Sequence, residues 1–297
     1  MRTLTLGYDG SPESRAAADW AAEEALRGGQ ALKLVFAWDY QPYSLTLMDA
    51  ETERRFVEEL PLRGAAELAK RYPGLEVAGE RATGPPAEAL LVASRDSDML
   101  VLGSRALGGM HGFLIGSVAQ SAVARSDHPV ALVRVPAPLH DVSETGPTPP
   151  PPPSEQEVIL GVGHTAENDA LFALSFEAAA RRGQTLRIVH CWRLPAPAAA
   201  DTSILSDDRK AALVREEDEW LQQTVRPWSD KYPEVKVFQD AHAGRPAEYL
   251  AHLSHRASVM LVGRRNRPHG RPGPHIGHVA HSVMHHAAAP VVVVPEH

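Results

Sequence analysis

The residues best able to do chemistry lie in one segment. The apolar run Met99-Leu-Val-Leu102 leads into Gly103-Ser104-Arg105-Ala106. Nine residues follow (107–115), Gly109 among them, and then Gly116-Ser117-Val118. Glycines let backbone amides come close to an anion. A helix starting at Ser117 would add a hydroxyl, an amide and the positive end of its dipole. The segment therefore reads as a phosphate cradle between a strand and a helix. Asp9, at the end of Leu6-Gly7-Tyr8-Asp9, offers an acceptor for a base amine or a ribose hydroxyl, and the same carboxylate can cap the helix that follows. Arg105 either meets phosphate or is solvated.

These residues need a scaffold, and the sequence writes that scaffold twice. Leu6-Gly-Tyr-Asp-Gly-Ser11 matches Leu160-Gly-Val-Gly-His-Thr165, and Leu34 to Trp38 matches Ile188 to Trp192, both at an offset of 154 residues (6 to 160, 34 to 188). Tyr72-Pro73 matches Tyr232-Pro233, and Gly84-Pro-Pro-Ala-Glu88 matches Gly244-Arg-Pro-Ala-Glu248, both at an offset of 160 (72 to 232, 84 to 244). A period of about 150 residues indicates a duplicated domain, not a solenoid. Between the copies runs Pro147-Thr-Pro-Pro-Pro-Pro-Pro153, which can join neither helix nor ladder and reads as a semi-rigid spacer. The expected domains are residues 1–137 and 156–297, with 138–155 as linker.

Within the first copy strands alternate with helices. Strands are predicted at 3–8, 32–38, 75–81, 99–102 and 130–135, and helices near 13–26, 51–70, from Pro86 to Ser94, and from Ser117. Ser11 is placed to cap the first helix with Pro12 in its first turn, and Gly28-Gly29 ends it. Alternation of this kind implies parallel units with right-handed crossovers. The fold class is α/β: two tandem, doubly wound, parallel five-stranded sheets. In such sheets ligands sit beyond the carboxyl ends of the strands. There Gly7-Tyr8-Asp9, Ala37-Trp38 and Gly103 converge.

Composition narrows the function. The chain has 297 residues, 43% of them hydrophobic, 23% charged, and a formal net charge of -7. An acidic balance gives no general pull toward nucleic acid. No apolar stretch reaches the roughly 18 residues of a membrane span. Met1 to Gly7 reads directly as a strand, which predicts no secretory leader. One cysteine, Cys191, excludes an internal disulfide framework. These features predict a cytoplasmic protein.

The motifs resemble those of the universal stress protein family. That family's nucleotide motif is glycine, two residues, glycine, nine residues, then Gly-Ser or Gly-Thr. Here Gly103 and Gly116-Ser117 match, and Ala106 stands in the second glycine's place. The opening Leu6 to Ser14, the segment Gly84 to Leu90 and His128-Pro129-Val130 resemble family signatures as well. The resemblance implies a Rossmann-like, adenine nucleotide alpha hydrolase-like fold with strand order 3-2-1-4-5. It also implies ATP as ligand, with or without Mg2+. The residues so implicated are Gly7, Asp9, Ala37, Gly103, Ser104, Arg105, Ala106, Gly109, Gly116, Ser117 and Val118, with Ala37 on the adenine side. Family domains pair through their fifth strands. Val130 to Val135 and Val291 to Val294 are therefore expected to pair within the chain, and a further homodimer is compatible with this.

The departures are specific. If position 106 takes a positive φ, alanine there costs about 1–2 kcal/mol. Ala119 stands where nucleotide-binding members often carry a hydroxyl. In the second copy Gly163 replaces the aspartate, Asn266 the second glycine and His278 the serine, and ten residues (267–276) precede Gly277. The second loop therefore reads as degenerate, although Arg264, Arg265, Arg267 and Arg271 could meet phosphate. His281 and His285 share a helix face, and His252 and His255 are read as lying on another helix. No His-Glu-x-x-His spacing or cysteine pair accompanies them, so no metal ligand is assigned. Lys33 and Arg187 read as solvent-facing strand positions, and Cys191 as a buried thiol. Three functions stay open: an ATP-binding stress regulator, an interaction scaffold without nucleotide, and a slow ATP hydrolase for which no catalytic residue is found.

Overall fold

The computed structural model describes residues 2–39, 50–106, 113–135, 152–164, 169–193, 206–264 and 276–296. The chain divides into two compact units, taken here one at a time.

In the first unit Thr3–Gly7 (β1) leads into Pro12–Gly28 (α1), whose start follows from its sequence. Ser11 accepts a hydrogen bond from the Ser14 amide at 3.2 Å, and Pro12 occupies the first turn. Gly29 closes the helix in the left-handed region at φ 60°, where a Cβ is disfavoured. One face of α1 is alanine (Ala17, Ala18, Ala21, Ala22 and Ala25, all buried). Such small side chains let the helix lie close to the sheet. Ala31–Trp38 (β2), Ala50–Arg71 (α2), Val77–Thr83 (β3), Pro86–Ala93 (α3), Met99–Ala106 (β4), Phe113–Leu114 (β5), Ser117–Arg125 (α4) and Val130–Arg134 (β6) follow. The sheet order is β3-β2-β1-β4-β6, parallel throughout. Leu4, Leu6, Leu100 and Val101 are buried at its centre, as expected for strands covered on both faces.

The second unit repeats the plan with Glu157–Val162 (β7), Asp169–Arg182 (α5), Leu186–Trp192 (β8), Asp207–Lys231 (α6), Val237–Ala243 (β9), Pro246–Leu253 (α7), Ala257–Arg264 (β10), His278–His286 (α8) and Val291–Pro295 (β11). Its order is β9-β8-β7-β10-β11, again parallel. Both units thus realise the order 3-2-1-4-5. The helix after β7 packs differently from α1: Phe172 and Phe176 stack near Trp228 of α6, with centroids at 5.7 and 6.3 Å.

Three local expectations are corrected. The third strand is shifted to Val77–Thr83. The fourth continues to Ala106, because Arg105 and Ala106 pair antiparallel with Leu114 and Phe113. Arg187 does not face solvent. Its side chain is 12% exposed, donates to Glu157 at 2.7 and 3.1 Å and to Asp240 at 3.4 Å, and lies over the Phe238 ring. Lys33 is partly covered as well, donating to the Ala93 carbonyl at 2.7 Å.

Candidate functional site

The first unit brings most of the sequence-derived residues to one edge. Parallel pairing of Gly7 with Val35 and of Leu6 with Val101 sends β1, β2 and β4 out of the sheet side by side. The Tyr8 amide extends this ladder to the Val35 carbonyl at 2.9 Å. Asp9 then emerges exposed, and its Oδ1 accepts from the Ser11 amide at 2.9 Å. Desolvation pushes the Asp9 carboxyl up, but the hydrogen bonds from Ser11 and Ser14 outweigh it and hold the group below the ordinary carboxylate value. Asp9 is thus a fixed anion at the strand end that also orders the entry to α1.

The glycines serve two different ends. A Cβ on Gly7 would come within 2.6 Å of Leu102, and one on Gly103 within 2.6 Å of the Glu13 carbonyl. At Gly7 the neighbour is the end of a leucine side chain, but at Gly103 it is backbone, so Gly103 is glycine for packing: β4 passes directly against the first turn of α1, a few residues beyond Asp9. A Cβ on Gly116 would meet nothing within 4 Å. Gly116 is the N-cap of α4, with no side chain capping the helix and no acidic residue in its first turn. Ser117 is exposed and Val118 half-buried at that start, and Ala119 is buried. The amides and dipole of α4 are left for an anion.

Between these flanks, Ser104 is 2% exposed, and its hydroxyl has no hydrogen-bond partner among the described residues. Ala106 lies in a strand, and among the described residues no residue other than glycine has a positive φ. The strain that alanine would suffer in a left-handed conformation does not arise. The backbone of Arg105 belongs to the same short ladder. Ala37 sits near the end of β2, opposite Ala82. Gly109 lies outside the described residues, as do Asn266, Arg265, Arg267 and Arg271.

The equivalent edge of the second unit is built differently. Gly163 brings no carboxylate, and α8 opens with Gly277 and His278. Instead His164 follows β7, His190 lies in β8, and Glu217 reaches in from α6. Glu217 Oε2 lies 2.8 Å from His164 Nε2 and 3.2 Å from His190 Nε2. Trp220 borders both imidazoles, with centroids at 4.4 and 4.5 Å. Burial pushes the His190 imidazole below its ordinary value despite the Val162 carbonyl and Glu217, which pull it up. The sequence reading missed this cluster. The signal lay in the offset alignment, which sets His164 at the place of Gly10 and His190 at that of Phe36, both at strand ends. Cys191 is half-buried, its thiol pushed up to about 12 by burial and by Asp240, which disfavours the thiolate. A cavity of ≈ 590 Å³ lined by Glu157, Gln184, Thr185 and Arg256 lies at the amino ends of β7 and β8, away from the edge where ligands meet such sheets.

Among the described residues no helix is long and apolar enough to cross a membrane. The model of the universal stress protein family matches residues 1–134 and again 156–295. A universal stress protein of Mycobacterium bovis is 30% identical over 304 residues, covering 98% of this chain and 96% of that one. The crystal structure of a universal stress protein from Archaeoglobus fulgidus covers 99% of this chain and 98% of its own at a TM-score of 0.68 and 17% identity, a likeness of fold. A second Archaeoglobus fulgidus universal stress protein, solved in complex with dAMP, covers 44% of this chain and 96% of its own at a TM-score of 0.32 and 20% identity. With the family model matching both halves and the relatives spanning nearly the whole length, the chain belongs to the universal stress protein family.

Proposed function

We propose that the first half binds one adenine nucleotide, ATP, beyond the carboxyl ends of β1, β2 and β4, and that occupancy of this site regulates a cytoplasmic stress response. One observation carries the reading. The Ser104 hydroxyl is buried without a partner among the described residues, at the mouth of a loop whose far side ends at the uncapped start of α4. A buried, unsatisfied hydroxyl is costly and calls for a ligand or an ordered water. The residues present fit a nucleotide. The amides of Ser117 and Val118 and the Ser117 hydroxyl suit phosphate oxygens, Asp9 a ribose hydroxyl or base amine, and the backbone at Ala37 the adenine edge. Gly109 and Arg105 enter the reading only through the resemblance of the motif. Mg2+ would ride on the phosphates, and no side chain of this chain is assigned to it.

The second half does not repeat this site in the proposal: Gly163 cannot accept a hydrogen bond through a side chain, and His278 replaces the serine. Binding, not turnover, is the proposed activity, since the sequence carries no Gly-x-x-x-x-Gly-Lys-Ser/Thr loop. Thermal unfolding of the full chain with and without ATP, ADP and cyclic AMP tests the reading. ATP at a hundredfold excess over Kd should add about 2.7 kcal/mol, and Asp9→Ala should remove that gain. No shift with any of the three nucleotides would leave an interaction scaffold.

A further inference from the structure

The cluster on the second unit is a ligand set that the nucleotide reading does not use. His164 Nε2, His190 Nε2 and Glu217 Oε2 lie within 4.8 Å of one another. An ion with bonds of about 2.0–2.1 Å separates tetrahedral ligand atoms by about 3.3 Å. The two imidazole–carboxylate separations, 2.8 and 3.2 Å, are already close to that. His190 Nδ1 lies 3.3 Å from the Val162 carbonyl, which can only accept. A proton on Nδ1 would leave Nε2, on the side of Glu217, as the ring's coordinating atom.

The surroundings agree. Trp220, one turn beyond Glu217 on α6, packs against both imidazoles and supplies the apolar wall that fixes ring orientation around a metal. The His190 side chain is 2% exposed, that of Glu217 18% and that of His164 53%. The set is anchored on its inner side and open on its outer side. The duplication gives an internal control. At the offsets of 154 and 160 residues, the first copy has Gly10, Phe36, Val57 and Leu60 where the second has His164, His190, Glu217 and Trp220. There a Cβ added at Gly10 would stand 3.1 Å from Leu60, and Val57 is buried. Three positions without ligating side chains in one copy carry ligating side chains in the other.

From this juxtaposition we infer that the second half binds a divalent transition-metal ion of the zinc class through His164, His190 and Glu217, with a solvent-facing position left for water. Two imidazoles and one carboxylate suit Zn2+, not Ca2+ or Mg2+, which take oxygen ligands.

The test is Zn2+ titration of the full chain, freed of any histidine tag, by calorimetry, with Co2+ absorption spectroscopy as the geometric readout. One equivalent should bind and give visible Co2+ bands. The affinity should fall at least about tenfold in His164→Ala and in Glu217→Gln. His164 is largely exposed, so its variant should keep the wild-type circular dichroism. A His281→Ala/His285→Ala variant controls for the adjacent imidazole pair on α8 and should bind as wild type. Absence of binding, indifference to His164→Ala and Glu217→Gln, or loss only in the α8 variant would each overturn the inference. None of these outcomes depends on nucleotide.

Discussion

Gly103, the last glycine before the loop, lies flat against the backbone of Glu13 in the first turn of α1: a Cβ added there would stand 2.6 Å from the Glu13 carbonyl. A residue that looks like a phosphate contact is first a packing residue, and it sets the distance between the loop and the Asp9 turn. Gly103→Ala should therefore destabilise the fold by about 1–3 kcal/mol, the range for overpacking, in denaturant melts without nucleotide. Gly116→Ala, in open space at an N-cap, should cost about 1 kcal/mol or less. Its larger effect should fall on nucleotide affinity. Equal stability losses in the two variants would contradict this division of labour.

Asp9 is held ionised by the Ser11 and Ser14 hydrogen bonds. Replacing it with asparagine keeps the turn's acceptor but removes the charge, so Asp9→Asn should stay folded with α1 intact. ATP affinity should drop by about 1–3 kcal/mol if a ribose or base group donates to the carboxylate. Calorimetric titration of the variant reads this directly, and unchanged affinity would confine Asp9 to the helix turn.

Arg187 joins Glu157 and Asp240 across three neighbouring strands. Arg187→Met removes the cation and leaves two largely buried carboxylates, though Arg256 still lies 3.2 Å from Glu157. The expected loss is about 1–3 kcal/mol in chemical unfolding, confined to the second unit. A second unit as stable as wild type would show the network to be neutral.

Much of the fold was legible because it rests on local signals. Ser11-Pro12 and Gly29 bracket α1, the apolar runs at Met99 and Val130 form central strands, and the repeat offsets set one copy on the other. What escaped needed pairing information. Leu114 and Phe113 are a strand only because Arg105 and Ala106 lie opposite, and that same ladder removes the strain feared at Ala106. Arg187 looked exposed because its partners sit on adjacent strands whose register a single sequence does not state. The cluster of His164, His190 and Glu217 spans 53 residues, and α6 alone gives no sign of which carboxylate faces β8.

His281 supplies a pH dependence. Desolvation, then repulsion from His285, His278 and His286, holds its imidazole below the ordinary value. The unfolded chain therefore takes up the proton more readily. Stability from this site is complete above about pH 6.5 and is lost as pH falls through that value toward the lower folded one. Melting temperatures between pH 7.5 and 5 should fall less steeply in His281→Gln than in wild type. Parallel profiles would show that His281 is not responsible.

The central claim is one nucleotide site, in the first half, in a chain that carries the fold twice. Calorimetric titration of the full chain with ATP, repeated on Asp9→Ala and Gly163→Asp, tests it most directly. The account predicts one equivalent bound, loss of binding in Asp9→Ala and no second equivalent in Gly163→Asp. Two equivalents in the wild type, or a single equivalent that survives Asp9→Ala, would contradict it.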